Sequence, residues 1–236
     1  MLVVKPGDPA AVDQLFDAVA PSYDRLNDVL SLGLHRHWKR QLLALLQPQP
    51  GETWLDLCCG TGDLAFLLAR AVRPGGQVRG LDRAEAPLEV AAQRLSRQPW
   101  LPLSFHVADA LKTDAVTASV DGVVMAYGLR NLADPGTGLH EIRRVLRPGG
   151  RAGVLDFNRL SADQLSGRFQ QLYLRRLVVP VASAAGLREH YAYLEKSLQR
   201  FPTGAEQERL AIEAGFSQAK HRSISGQQMG ILLLDA

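Results

Sequence analysis

Between residues 51 and 157, short apolar runs alternate with longer amphipathic stretches. This alternation predicts repeated strand–helix units around a parallel sheet, which makes the chain an α/β protein. The amphipathic stretches predict helices at 63–72, 86–95 and 138–146. An Arg-Pro-Gly-Gly segment follows the last helix and should stop it, because proline cannot continue a helix and glycine supplies a turn. The apolar runs predict five strands, at residues 53–58, 77–81, 103–107, 122–126 and 151–156.

The flanking regions look different from this alternating core. Residues 11–46 have leucine-rich apolar faces that predict helices, and residues 163–179 combine apolar and arginine positions at helical spacing. Near the end of the chain, residues 218–225 and 229–235 predict two antiparallel strands joined at Gly226. We therefore expect one domain over residues 1–236, with an N-terminal helical cap at 1–50 and a helical lid insertion at 158–202.

Composition narrows the class of protein. The chain has 236 residues, of which 46% are hydrophobic and 22% charged, a balance typical of a soluble globular domain. No apolar run approaches the ~18 residues that would span a bilayer, and no signal peptide precedes the domain, so a cytoplasmic location is expected. The net charge of +3 is spread over many arginines and does not indicate nucleic-acid binding.

The two cysteines, Cys58 and Cys59, are adjacent in the sequence. Adjacent cysteines supply neither a loop-closing disulfide framework nor a spaced set of zinc ligands. We interpret both as packing residues in a reducing compartment, and we predict no metal site.

Residues 54–63 read Trp-Leu-Asp-Leu-Cys-Cys-Gly-Thr-Gly-Asp, an apolar strand followed by a glycine-rich turn and a helix. Gly60 and Gly62 would let the backbone pass close to a ligand. Asp82 ends the next strand, where a carboxylate can accept both hydroxyls of a ribose. After the third strand, Asp109 and Ala110 are suitably placed for an adenine amino group. Each feature alone is typical of a turn or a helix cap, but their order along the chain predicts a nucleoside cofactor.

The identity of that cofactor is a separate question, because residues 60–65 also fit the dinucleotide fingerprint G-x-G-x-x-G/A. Asp56, just before the turn, could attract a positively charged sulfonium or amino group. Asp63 would place negative charge at the helix start that a pyrophosphate would otherwise use. These two carboxylates favour a cationic cofactor, S-adenosylmethionine, over NAD.

Several motifs resemble one known family. The segment around Leu55–Gly62 resembles the first motif of class I methyltransferases. Tyr-Asp-Arg-Leu-Asn at 23–27, Ser-Leu-Gly-Leu-His-Arg-His-Trp-Lys at 31–39, Gly-Leu-Arg-Asn at 128–131 and Leu-Asp-Phe at 155–157 resemble the C-methyltransferases of ubiquinone and menaquinone biosynthesis. Motifs within residues 191–204 and at 229–230 resemble in particular the cyanobacterial branch, which acts on demethylphylloquinone. The resemblance covers nearly the whole chain.

The resemblance implies a class I methyltransferase, or Rossmann-like, fold: a seven-stranded, mostly parallel sheet with an antiparallel edge strand and helices on both faces. It assigns Thr61, Asp82, Asp109 and Ala110 to S-adenosylmethionine. Two positions depart from the family pattern. Leu26 replaces the usual methionine, and Ala126 stands where other members often place a serine near the cofactor.

The implied reaction is methylation of a ring carbon in a reduced, prenylated naphthoquinol, which needs a group that helps a phenolic proton leave. Arg130 should face the cleft just past the fourth strand and lower the pKa of the quinol. For His35, a buried or helix-capping imidazole is as well supported as a catalytic role. The candidates for these roles are Tyr23, Asp24, His35, Arg130, Asn131 and Tyr191.

The substrate favoured by the resemblance is demethylphylloquinol, with demethylmenaquinol or a ubiquinone precursor as alternatives. Its isoprenoid tail suggests peripheral contact of the 160–201 segment with a membrane, and a homodimer remains open. Two rival functions remain at this stage: an NAD-dependent oxidoreductase and a non-catalytic subunit that binds S-adenosylmethionine.

Overall fold

The computed structural model describes residues 33–160 and 188–236, with the backbone alone for residues 188–192. Within these ranges the chain forms one seven-stranded sheet with the strand order β3-β2-β1-β4-β5-β7-β6. The strands are β1 Thr53–Leu57, β2 Gln77–Asp82, β3 Leu103–Val107, β4 Val120–Ala126, β5 Leu146–Phe157, β6 Gln218–Ile224 and β7 Met229–Asp235.

The sheet is mostly parallel, as predicted. Strands β3, β2, β1, β4 and β5 run parallel to one another, and β7 pairs antiparallel with both β5 and β6. The strand order reverses beside β1: β2 and β3 extend the sheet on one side of β1, and β4 lies on its other side. In open α/β sheets, ligands bind beside such a reversal, outside the carboxyl ends of the strands.

Six α-helices accompany the strands in the described ranges. They are α1 Leu34–Leu46, α2 Asp63–Ala71, α3 Glu85–Ser96, α4 Pro135–Val145, α5 Arg188–Arg200 and α6 Gly204–Glu213. The predicted helix at 163–179 and the part of the N-terminal cap before residue 33 lie outside the described residues.

The sheet separates two apolar layers, which confirms the prediction of helices on both faces. Leu139 and Ile142 of α4 pack with Leu55 in one layer. Leu42 of α1 and Leu68 of α2 pack with Trp54 in the other. Because neighbouring residues of a strand point to opposite faces, β1 supplies both layers and is buried on both sides.

Helix α1 approaches β5 closely at Gly153. A Cβ atom at that position would lie 2.6 Å from Cδ1 of Leu42, so a larger side chain would force the Leu42 side chain to shift. Glycine at 153 therefore allows α1 to pack closely on the strands.

Two predicted boundaries around α4 are wrong. The helix begins at Pro135 rather than residue 138, because the side chain of Asp134 caps it by accepting from the Gly136 N–H at 2.9 Å. The following strand begins at Leu146 rather than 151, because Leu146 already pairs with Val120. The Arg-Pro-Gly-Gly segment does end the helix, but it forms an irregularity within the ladder rather than a separate turn.

Candidate active site

A cavity opens at the carboxyl ends of β1, β2, β3 and β4, beside the point where the strand order reverses. It is lined by Lys39 of α1, by Asp56, Cys58, Cys59, Gly60, Thr61, Asp63 and Leu64 around the β1–α2 turn, by Asp82, Arg83, Ala84 and Pro87 after β2, by Ala108, Asp109, Ala110 and Leu111 after β3, and by Ala126, Tyr127, Gly128, Asn131, Leu132 and Ala133 after β4. The structure thus brings together all the residues predicted to contact the cofactor except Gly62.

Gly62 serves the turn rather than the cavity. Its φ is +87°, a conformation that disfavours side chains, and a Cβ atom there would lie 2.6 Å from Cζ of Phe105. The glycine is therefore explained by backbone geometry and by packing against β3. Gly60, with φ of +54°, does line the cavity.

Asp56 lies in the floor of the cavity and is almost fully buried. Its Oδ2 accepts a hydrogen bond from the Ala65 N–H at 2.8 Å, in the first turn of α2. Burial raises the pKa of Asp56 to about 8, and the nearby Lys39 ammonium opposes that rise only in part. The carboxyl group is therefore largely protonated near pH 7, and an additional cation beside it would favour its ionised form.

Asp82 holds the turn after β1 as well as facing the cavity. Its Oδ2 accepts from the Gly60 N–H at 2.7 Å, and its Oδ1 accepts from the Ala84 N–H at 3.0 Å. A carboxylate has about four acceptor positions, so each oxygen can accept from more than one donor. Asp82 therefore links the backbone of the glycine turn to the part of the cavity over β2.

Asp109 follows β3, and its two oxygens have different partners. Oδ2 pairs with NH1 of Arg83 at 2.8 Å, while Oδ1 accepts from the Leu111 N–H at 2.9 Å. The neighbouring Ala110 is buried and faces the cavity, as does Leu111. This end of the cavity combines one carboxylate with apolar walls, which suits a planar heterocycle.

The end of β4 forms the opposite wall. Ala126 lies at the last position of the strand, and Tyr127 has a positive φ of 61°. The Tyr127 carbonyl accepts from Nδ2 of Asn131 at 2.9 Å and from NH1 of Arg130 at 2.8 Å. The two side chains that follow β4 thus hold the backbone where it leaves the sheet.

Arg130 does not face the cleft as predicted. Its NH1 pairs with Oδ1 of Asp156 at 2.7 Å, and its guanidinium lies over the Phe157 ring, with Cζ 5.4 Å from the centroid. The Asp156 Oδ2 also accepts from the Arg130 backbone N–H at 3.2 Å. Because a buried guanidinium requires a compensating charge, the side chain turns toward the carboxylate that ends β5. It is not among the described residues that line the cavity.

Asn131 does line the cavity, and it has a partner that the sequence argument did not include. The hydroxyl of Tyr193 on α5 donates to Oδ1 of Asn131 at 3.2 Å, and Tyr193 is buried. The predicted residue was Tyr191, whose side chain lies outside the described residues. The packing of α5 on the turn after β4 brings Tyr193 to Asn131, a contact that the sequence pattern did not indicate.

Of the other predicted catalytic residues, only His35 lies within the described part of the chain. His35 is buried on α1 but is not among the cavity-lining residues. This placement favours the structural role that the sequence analysis gave as the alternative. Tyr23 and Asp24 lie outside the described residues.

A charged cluster at the start of α2 was also missed. Asp63 pairs with Nζ of Lys39 at 3.0 Å and with NH2 of Arg94 at 2.9 Å. Burial opposes ionisation of Asp63, but the two cations outweigh it and hold its pKa at about 2. Asp63 is therefore ionised, as the sequence argument assumed, but its charge is compensated by side chains from α1 and α3.

Cys58 and Cys59 are both free thiols that line the cavity. Burial, reinforced by neighbouring carboxylates, raises the pKa of each thiol. A protonated thiol is a weak nucleophile, so both groups act as apolar wall at neutral pH. This position is compatible with the prediction that both cysteines are packing residues, and it adds that they line the cavity.

Comparison with known proteins agrees with this geometry. The profile of the ubiE/COQ5 methyltransferase family matches residues 4–233. A 2-phytyl-1,4-naphtoquinone methyltransferase from Synechococcus elongatus is 47% identical over 230 residues, covering 97% of this chain and 98% of that protein. A chloroplastic 2-phytyl-1,4-beta-naphthoquinone methyltransferase from Arabidopsis thaliana is 44% identical over 222 residues, covering 93% of this chain and 85% of that protein.

Solved structures support the fold. A methyltransferase dependent on S-adenosylmethionine from Thermotoga maritima aligns with a TM-score of 0.65 at 18% identity, covering 94% of this chain and 98% of that one. One from Aquifex aeolicus aligns with a TM-score of 0.61 at 17% identity, covering 84% and 88%. The predicted class I methyltransferase fold is confirmed. Together with the family profile and the relatives, this shows that the chain belongs to the ubiE/COQ5 methyltransferase family.

Proposed function

We propose that this S-adenosylmethionine-dependent methyltransferase methylates a ring carbon of a prenylated naphthoquinol, converting demethylphylloquinol to phylloquinol. The observation that carries the substrate is the 47% identity, over nearly the whole length of both chains, to a 2-phytyl-1,4-naphtoquinone methyltransferase. This reaction would be the last step of phylloquinone biosynthesis. Demethylmenaquinol is the nearest alternative acceptor, because it presents the same bicyclic ring.

The residues that line the cavity match the chemical groups of S-adenosylmethionine from one end to the other. Asp82 can receive the ribose hydroxyls, and the apolar walls with Asp109 and Ala110 suit adenine. The amino-acid end would then lie over β1, beside the Lys39 ammonium group and the buried carboxyl group of Asp56. When bound, S-adenosylmethionine supplies an electrophilic methyl group on a positively charged sulfur.

The same geometry argues against the dinucleotide alternative. A pyrophosphate would have to bind the N-terminus of α2, where the Ala65 N–H is already bonded to Asp56. It would also meet the ionised carboxylate of Asp63. Family membership and these two carboxylates together favour the methyltransferase over an NAD-dependent oxidoreductase.

The acceptor ring would occupy the β4 side of the cavity. Tyr193 donates to Asn131, and Asn131 donates to the Tyr127 carbonyl, so these three residues form one connected series of hydrogen bonds. We infer that this series orients a quinol hydroxyl, with the ring carbon facing Ala126. Arg130 acts through it as a positioning residue, since its ion pair with Asp156 fixes the turn that carries Asn131.

The chemistry requires the reduced ring. A quinol hydroxyl that loses its proton donates electron density into the ring, and the adjacent unsubstituted carbon can then attack a methyl group in line. Loss of the proton from that carbon restores the aromatic ring. Holding donor and acceptor in this geometry can supply much of the rate enhancement.

The tail requires an apolar path. None of the helices in residues 33–160 and 188–236 is both long enough and apolar enough to cross a bilayer. At ~0.8 kcal/mol for each buried CH₂, a phytyl chain would remain in lipid or in an apolar groove. We therefore propose peripheral contact with a membrane during substrate capture. The expectation of a homodimer stays a prediction.

The test is methyl transfer by the purified protein from labelled S-adenosylmethionine to a matched panel of reduced acceptors. We expect a product one methyl group heavier from 2-phytyl-1,4-naphthoquinol, a similar product from demethylmenaquinol, and slower reaction with benzoquinols. Binding of S-adenosylhomocysteine without turnover on any quinol would instead indicate a non-catalytic subunit. Faster transfer to benzoquinols would assign a different acceptor.

A further inference from the structure

Lys39 connects the first described helix to the cofactor end of the cavity. It lies on α1, lines the cavity, and places Nζ 3.0 Å from Oδ2 of Asp63. Its side chain is 12% exposed, and Nζ is 6.0 Å from the centroid of the Tyr127 ring. The ammonium group therefore lies between the exits of β1 and β4 and is largely removed from bulk water.

Asp63 has two cationic partners at this place. Arg94 of α3 pairs with Oδ1 of Asp63 at 2.9 Å, on the other oxygen from Lys39, and also donates to the Thr61 carbonyl at 2.8 Å. One carboxylate would be neutralised by either cation. Because the two cations lie on different oxygens, the pairing of Asp63 with Arg94 does not depend on Lys39.

Only one of the two cations faces the cavity. Lys39 is among the lining residues, whereas Arg94 is not and instead lies over the Phe66 ring, with Cζ 4.9 Å from the centroid. A ligand anion in the cavity would therefore meet the ammonium of Lys39 while Asp63 kept its pairing with Arg94.

The order of the strands fixes which part of the cofactor reaches this place. With adenine over β3 and ribose at Asp82 on β2, the amino-acid moiety must continue over β1 toward β4. That moiety carries one anion, its carboxylate. We propose that Lys39 binds this carboxylate. The inference rests on the S-adenosylmethionine site of the proposed function, but not on the identity of the methyl acceptor.

This contact would give α1 a role beyond packing. Because α1 packs closely against β5 at Gly153, a bound carboxylate would be held between the sheet and this helix. The cofactor would then stabilise the position of α1 as it binds, and α1 would contribute to selecting ligands with an intact amino-acid group.

The test compares two ligands that differ only in the carboxylate. Binding of S-adenosylhomocysteine and of its decarboxylated analogue, which keeps the ammonium group, is measured by calorimetry on the wild-type protein, Lys39→Met and Arg94→Met. Charge-assisted hydrogen bonds of this kind correspond to about 10- to 100-fold in affinity. We expect Lys39→Met to weaken the binding of S-adenosylhomocysteine by that factor and the binding of the analogue by about twofold or less.

Arg94→Met is the matched control, because it also removes one ion pair of Asp63 but leaves Lys39 in the cavity. It should change both ligands alike, so that their affinity ratio stays at the wild-type value. Lys39→Arg, which keeps the positive charge, should recover part of the lost discrimination and gives a second variant if Lys39→Met is unstable.

Equal weakening of both ligands by Lys39→Met would assign Lys39 a purely structural role and overturn the proposal, as would unchanged affinity for both. No quinol takes part in these measurements. A failure here therefore leaves the proposed acceptor untouched, and a failure of the quinol assay leaves the carboxylate site untouched.

Discussion

Replacing Asp82 should separate ligand binding from folding at the centre of the cofactor site. Its carboxylate accepts from the Gly60 and Ala84 N–H groups and faces the cavity over β2. If it also accepts the ribose hydroxyls, Asp82→Ala removes charge-assisted hydrogen bonds worth about 1.5–3 kcal/mol in net binding free energy. Each 1.4 kcal/mol is a factor of ten, so the affinity for S-adenosylhomocysteine should fall by about 10- to 150-fold.

Calorimetric titration measures this loss directly. The control is Asp114→Ala, because Asp114 is a carboxylate at the surface that pairs with Arg79 at 2.8 Å and is not among the described residues lining the cavity. That variant should bind as the wild type does. An Asp82→Ala protein that is folded, as judged by circular dichroism and urea unfolding, yet binds S-adenosylhomocysteine with unchanged affinity would remove Asp82 from the site.

Three further changes test other parts of the account. Asp156→Asn should destabilise the protein by about 3–5 kcal/mol in urea unfolding, because it leaves the Arg130 guanidinium buried without its counter-charge. The double variant Asp156→Leu with Arg130→Met should recover much of that loss. An unaltered urea midpoint for Asp156→Asn would contradict this prediction. Tyr193→Phe should lower kcat with cofactor affinity intact, since it removes the hydrogen bond to Asn131, and the idea fails if kcat is unchanged. Burial raises the pKa of Asp56 to about 8, so the folded protein retains a proton that the unfolded chain loses above about pH 4. The free energy of unfolding should therefore fall as the pH rises from about 4 to about 8. Asp56→Asn should abolish this decrease in the free energy of unfolding, measured with urea at pH 5 and at pH 8. The same decrease in the wild-type protein and in the variant would refute the prediction.

The parts of the fold that could be predicted depend on local patterns. The strand at 103–107 has the predicted bounds, because a short apolar run between turn residues is a local signal. The glycine turn at 60–62 and the position of Asp82 at a strand end follow in the same way. By contrast, the start of β5 depends on pairing between Leu146 and Val120, which no local pattern records.

The site residues that were misplaced or missed depend on partners distant in the sequence. Arg130 turns away from the cavity because Asp156, 26 positions along the chain, supplies a buried carboxylate at the neighbouring strand end. Lys39 enters the cavity only because α1 packs closely on the sheet. Tyr193 reaches Asn131 because of how α5 lies on the turn after β4. Sequence spacing predicted the residues that line the cavity after β1, β2 and β3, while the positions of Lys39, Arg130 and Tyr193 depend on tertiary contacts.

The central claim is carbon methylation of a reduced naphthoquinol, and one anaerobic measurement tests it most directly. The substrate is 2-phytyl-1,4-naphthoquinone carrying deuterium at the unsubstituted ring carbon, supplied either reduced with dithionite or oxidised, with labelled S-adenosylmethionine. We predict rapid transfer to the reduced form alone, with the deuterium lost and the new methyl group on the ring carbon in the product. Equal rates with both forms, or a product that keeps its deuterium and carries the methyl group on oxygen, would contradict the account.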